Sequence, residues 1–114
     1  MSECIFCKII NKEIPAKIVY EDNKVIAFND INPVASIHIL FLPKLHIKNI
    51  NCLNETNYSY IINIHQAIQK VAIKLNINEQ GYRVISNCGK GAGQTVFHLH
   101  YHLLSGNSLD PKII

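Results

Sequence analysis

Only one stretch of this chain has the pattern of a long helix. From Glu55 to Leu75, the residues Ile61, Ile64, His65, Ile68, Val71, Ala72 and Leu75 recur at spacings of three and four, which lays one apolar stripe along an α-helix. Asn54 stands where an N-cap belongs. The remaining apolar residues come in strand-length pieces. Ile18–Glu21 and Lys24–Asn29 flank Asp22-Asn23, a turn pair for which positive φ is available. Pro33 breaks the chain before Ile37–Leu42, an apolar run ended by Pro43, and two further strands are predicted over Tyr82–Asn87 and Val96–Leu104. Cys4–Asn11, apolar at 5, 6, 9 and 10, reads as a short amphipathic helical turn, with Pro15 beyond it as a stop. Five strands with one long helix late in the chain, and no strand–helix–strand alternation, predict an α+β fold built on a mainly antiparallel sheet.

The 114 residues suit a single domain, 1–114, with a core over about 4–106 and an unpatterned tail at 107–114. A composition of 48% hydrophobic and 17% charged residues excludes a disordered chain, and a core of this size needs no disulfide framework. The longest apolar run, Ile37 to Pro43, falls far short of the ~20 residues that span a bilayer. The N-terminus lacks a basic region followed by an apolar stretch, so a cytoplasmic location and no membrane partner are expected. Net charge is +3, and ten of the eleven basic residues are Lys, spread thinly along the chain, with Arg83 the exception. Nucleic-acid binders cluster their cations on one face, so no nucleic-acid partner is expected.

His98, His100 and His102 alternate with Leu99 and Tyr101 in the last predicted strand. Alternation places the three imidazoles on one face and Phe97, Leu99, Tyr101 and Leu103 on the other. In a regular strand successive histidines would lie roughly 6.5–7 Å apart and the outer pair about 13 Å apart. With Zn–N bonds of about 2.0–2.1 Å, one metal ion can bridge neighbours but not all three. Just before them runs Asn87-Cys88-Gly89-Lys90-Gly91-Ala92-Gly93-Gln94-Thr95-Val96. Three glycines within five residues let main-chain N–H groups approach an anion, as a phosphate nest requires. A phosphate held there would lie beside an imidazole able to attack it.

Gly93-Gln94-Thr95-Val96-Phe97-His98-Leu99-His100-Tyr101-His102-Leu103-Leu104 resembles the signature of the histidine triad (HIT) superfamily. The opening Cys4-Ile5-Phe6-Cys7-Lys8-Ile9-Ile10 is similar to the start of its Hint branch. So are Glu13-Ile14-Pro15-Ala16-Lys17, Phe28-Asn29-Asp30-Ile31 and His38 through His46, in the same order along nearly the whole chain. The resemblance implies hydrolysis or transfer of nucleoside monophosphates, typically from purine nucleoside phosphoramidates, by a homodimer whose protomers join their sheets. It implies that His100 attacks the α-phosphorus, that His102 contacts the phosphate oxygens, and that His38 supports a proton relay. Gly93, Gln94 and Thr95 would hold the phosphate, with the Thr95 hydroxyl near the leaving group. Asp30 would bond the ribose hydroxyls, Phe28 and Ile31 would pack on the base, and Asn87 would orient the phosphate or ribose. No metal is needed for that chemistry. Two features depart from the pattern: Thr95 stands where many members carry Ser, and the chain has no Trp, whereas Hint proteins of animal type end in a Trp-containing tail. Three rival readings remain open: a nucleotide-binding or scaffold module with residual activity, a dinucleoside polyphosphate hydrolase, and a catalytic metal site on the His-rich strand.

Cys4-x-x-Cys7 reads as a redox pair, as two buried free thiols, or as half of a zinc site, although no preceding βαβ unit supports the first. The resemblance favours zinc, held with His46 and His98 in a closed, structural Cys₂His₂ set. Cys52 and Cys88 read as ordinary free thiols, and His65 as a packed histidine on the helix stripe.

Overall fold

The computed structural model describes residues 3–106 and residue 109, and the tail expected at 107–114 otherwise lies outside the described residues. The order of elements is α1 (Ile5–Ile10), β1 (Ile18–Glu21), β2 (Val25–Asn29), β3 (Ile37–Pro43), α2 (Ser59–Lys74), β4 (Arg83–Ile85) and β5 (Tyr101–Ser105), with short 3₁₀ turns at Ile50–Cys52 and Lys90–Ala92. The strands form one five-stranded sheet in the order β1-β2-β3-β5-β4, antiparallel throughout. This is the α+β architecture that the pattern predicts. Among the described residues no helix is long and apolar enough to cross a membrane.

Period-two alternation sorts the strand residues onto two faces. Val25, Ala27, Ile39, Phe41 and Leu103 pack beneath α2 against Ile64, Ala67, Ile68, Val71 and Ala72. Ile26, Phe28, Leu40 and Leu42 point the other way and meet Phe6 and Ile9 of α1. His102 pairs with Leu40, and His38 with Leu104, so both histidines emerge on the α1 face. That face carries the two histidines, and the α2 face carries most of the core.

Four local expectations need correction. The helix begins at Ser59, because Asn54 caps a turn that leads into it: its Oδ1 accepts from the Thr56 N–H at 2.9 Å, while Asn57 Oδ1 accepts from the Asn54 N–H at 2.8 Å. The β1–β2 turn uses no positive φ at Asn23; Asp22 Oδ1 instead accepts from the N–H groups of Lys24 and Val25 at 2.7 and 2.9 Å. His65 is exposed, touching Tyr101 only edge-on at 6.0 Å. The last strand starts at Tyr101 and not at Val96. Continued pairing would set Leu99 opposite Pro43, which has no N–H to give, and the Pro43 carbonyl is already taken by the His98 ring at 2.9 Å. The chain through His98 and Leu99 is held from elsewhere, with the Leu99 N–H donating to the Ile47 carbonyl at 2.6 Å.

Candidate active site

His100 is buried against Phe6, whose ring meets it edge-on at 5.0 Å and 89°. The His100 Nδ1 lies 2.7 Å from the main-chain carbonyl of His98. A carbonyl only accepts, so the proton sits on Nδ1 and Nε2 keeps its lone pair. Burial lowers the pKa of His100 from its ordinary value, opposed by the bond to His98 and by the charge of Asp30. The Ser86 hydroxyl donates to the His100 carbonyl at 2.9 Å and so fixes the main chain that carries this ring.

His102 follows one strand step later, with ring centroids 5.1 Å apart. That is shorter than regular-strand spacing, because His100 lies just outside the ladder. Burial, then the neighbouring His100 and His38, push the His102 pKa down to about 4. Its Nδ1 is 2.9 Å from His38 Nε2, which in turn is 3.3 Å from Asp30 Oδ2. Asp30 Oδ1 accepts from the Asn32 N–H at 2.7 Å, an Asx turn that orients the carboxylate.

A cleft of about 330 Å³ runs between α1 and the sheet, with Phe28, Asp30, Ile31, Thr95, His100 and His102 on its wall. Phe28 is buried in the floor, while Ile31 is 91% exposed at the rim. His38 is reached only behind Asp30, in the next cavity along. Gly93 adopts φ 92°, a left-handed turn open to a residue without a side chain, and it leads into Thr95 at the cleft mouth. The side chain of Gln94 is turned inward against the loop. It is 2% exposed and fully engaged in bracing the loop: Oε1 accepts from the Gly89 N–H at 2.8 Å, and Nε2 donates to the carbonyls of Lys48 and Val96 at 2.8 and 3.1 Å. Asn87 is half-buried and is not part of the cleft wall.

Sequence reasoning gave no role to Phe6, Ser86 or Leu40. The apolar spacing of 5, 6, 9 and 10 marks Phe6 as inward-facing, but nothing local shows that it lands on residues more than ninety positions away.

On the far side of His98 lies a second cluster. Cys4, Cys7, His46 and His98 bring one ligand atom each within 4.8 Å of one another. The Nδ1 atoms of His46 and His98 are 3.2 Å apart, and sulfur–nitrogen distances are 3.3 Å for Cys7–His46, 3.5 Å for Cys4–His98 and 3.6 Å for Cys7–His98. Bonds of about 2.0–2.1 Å to nitrogen and 2.3 Å to sulfur give tetrahedral edges of roughly 3.3–3.7 Å, so the set fits an ion such as zinc. His98 donates Nε2–H to the Pro43 carbonyl, which leaves its Nδ1 lone pair facing the two sulfurs. Burial and the adjacent Cys4 thiol push Cys7 up to about 11, so the protein alone does not favour a thiolate there and a divalent cation would.

Over residues 3–112 the chain matches the family described as scavenger mRNA decapping enzyme C-terminal binding. It is 41% identical over 111 residues to the purine nucleoside phosphoramidase of Escherichia coli K12, an alignment covering 97% of this chain and 93% of that one. The structure of a HIT family hydrolase from Clostridium thermocellum superposes with a TM-score of 0.96 at 56% identity, covering 100% of this chain and 99% of the other. The chain belongs to the histidine triad family. A histidine triad protein from Clostridium difficile superposes almost as well, with a TM-score of 0.93, 47% identity and 96% of each chain covered. In this HIT chain the three triad histidines face different ways: His98 turns to the cysteines, while His100 and His102 turn to the cleft.

Proposed function

We propose that this HIT protein hydrolyses purine nucleoside phosphoramidates or related nucleotide conjugates through a covalent nucleotidyl-His100, releasing a nucleoside monophosphate. The observation that carries this reading is the 2.7 Å bond from His100 Nδ1 to the His98 carbonyl, which leaves Nε2 nucleophilic on the cleft wall. The name of the Escherichia coli relative supports the substrate class. Nε2 attacks the α-phosphorus, the P–N bond breaks as the Nε2–P bond forms, and the amine leaves with a proton taken from solvent past the Thr95 hydroxyl. Water then cleaves the Nε2–P bond and returns a proton to solvent. His102 donates to the phosphate oxygens and His38 supports it. The main chain at Gly93, Gln94 and Thr95 holds the phosphate, Asp30 receives the ribose hydroxyls, and the base packs on Phe28 and Ile31. Asn87 would orient the phosphate or ribose from outside the cleft wall.

Cys4, Cys7, His46 and His98 would hold a zinc ion in a closed set; when bound it ties α1 to the segment carrying His98 and supplies no chemistry to the cleft. The protein works as a homodimer whose protomers join their sheets, a reading supported by two outermost strands that carry exposed apolar residues, Ile18 on β1 and Val84 on β4.

Intact-mass spectrometry during turnover of an adenosine phosphoramidate tests the mechanism. An acid-labile, AMP-sized adduct mapping to His100 is the result it requires. Tight AMP binding with no adduct in wild type or in a His102→Ala variant would instead make the chain a binding module.

A further inference from the structure

Each ring nitrogen of His38 has a partner that decides where its proton sits. The Val34 main-chain N–H donates to Nδ1 at 3.1 Å. Nδ1 therefore holds a lone pair, and the neutral ring carries its proton on Nε2. That Nε2 lies 2.9 Å from His102 Nδ1, with Asp30 Oδ2 at 3.3 Å. His102 Nδ1 must then accept, so the His102 ring bears its own proton on Nε2, the atom left for the cleft that the ring lines. Val34 belongs to a loop closed on itself by the Asp30 N–H donating to the His38 carbonyl at 3.0 Å, so its amide and the histidine are held by one turn. The Val34 side chain is 71% exposed and contributes little to the core.

We propose that the Val34 amide is a positioning group for the reaction: it makes His38 a one-way hydrogen-bond donor, which holds His102 as a neutral ring with Nε2–H turned toward the phosphate. This rests on the reading of the cleft as a nucleotidyl-transfer site, and it changes the part played by His38. A proton carried through His38 would have to sit on Nδ1, head-on against the Val34 N–H. The bond direction therefore makes His38 a fixed strut and not a relay. The same direction argues against a metal ion at Asp30, His38 and His102, although their donor atoms lie within 4.8 Å of one another. A histidine that keeps its proton on Nε2 has no lone pair there to give a metal.

Two-bond ¹H–¹⁵N spectra of histidine-labelled protein read the tautomers directly. In wild type, His38 and His102 should each appear as the Nε2–H form. Val34→Ala retains the N–H and should keep that pattern; Val34→Pro removes it and should mix the tautomers of both rings. His38→Gln places an amide donor near the position of Nε2 but cannot relay a proton. It should turn over a phosphoramidate at least about tenfold faster than His38→Ala. An Nδ1–H form of His38 in wild type, or a His38→Gln variant as slow as His38→Ala, would overturn the proposal even if Val34→Pro failed to fold. A wild-type chain that shows both Nε2–H tautomers yet cleaves no phosphoramidate would overturn the functional reading, and with it the catalytic part of this inference.

Discussion

His100 donates through Nδ1 to the main-chain carbonyl of His98, 2.7 Å away, while the side chain of His98 faces Cys4, Cys7 and His46. One residue thus belongs to both clusters: its ring to the prospective metal site, its carbonyl to the proposed nucleophile. Phe6 adds a second link, lying edge-on to both rings at 6.0 and 5.0 Å from the helix that Cys4 caps and that carries Cys7. The two clusters are chemically separate but mechanically joined.

His100→Ala should lower turnover by at least about a thousandfold, because it removes the only atom proposed to bond phosphorus. AMP affinity should stay within about fivefold, since Phe28, Ile31, Asp30 and the glycine loop remain. Single-turnover kinetics beside AMP titration separate the two effects. An active His100→Ala protein would remove the covalent mechanism.

The metal set gives a second prediction. Cys4→Ser should lose the zinc proposed to bind there, measured by elemental analysis, and lower the Tm by at least about 5 °C, since an ion in that set would join α1 to a segment more than ninety residues away. Turnover at 25 °C should fall less than tenfold, because the ion touches no cleft group and acts only through His98 and Phe6. Zinc should also leave as pH falls, since bound cysteines must be thiolates. A metal-free variant that melts like wild type would dispose of the structural role.

The parts of this architecture that were legible in the sequence are those governed by local period. The 3.6 period of Ile61 to Val71 and the strand-length runs at 18–29 and 37–42 decided the α+β sheet, and the alternation of His98, His100 and His102 placed them on one face. What local pattern could not show depends on partners distant in sequence. The ladder ends at Tyr101 because Pro43 lies opposite Leu99, a fact of register between strands some sixty residues apart. Gln94 sits in a motif that suggests phosphate contact, yet its amide is claimed by Lys48 and Gly89. Asn54 is a cap, but of the turn that precedes the helix, because its bonds go to Thr56 and Asn57 and not to residues of α2.

Gln94 supports a third prediction. Its buried side chain makes three bonds to main-chain groups, two within the loop and one to Lys48, so Gln94→Ala should cost about 1–3 kcal/mol through partners left unpaired. Gln94→Glu should be worse than Ala. It keeps an acceptor for the Gly89 N–H but sets a carboxylate against the carbonyls of Lys48 and Val96. Urea unfolding ranks the three proteins. If Glu is the milder change, the orientation of this amide is wrong.

The last prediction concerns pH. His102 is held down to about 4 in the folded chain, by burial first and then by His100 and His38, with Asp30 pulling the other way. Unfolded, it would titrate near 6.5. Above pH 6.5 the ring is neutral in both states and its contribution to stability is fully present. As pH falls from 6.5 toward 4, the unfolded chain takes up a proton that the folded chain refuses, so stability drops; below about 4 both states are protonated and the loss levels off. His102→Gln removes this group while keeping the other histidines in the chain. Wild type should therefore lose more stability than His102→Gln between pH 6.5 and 4.5, read from urea midpoints at each pH. Equal losses would mean that the folded chain accepts the proton readily, and that His102 is not the neutral donor required beside His100.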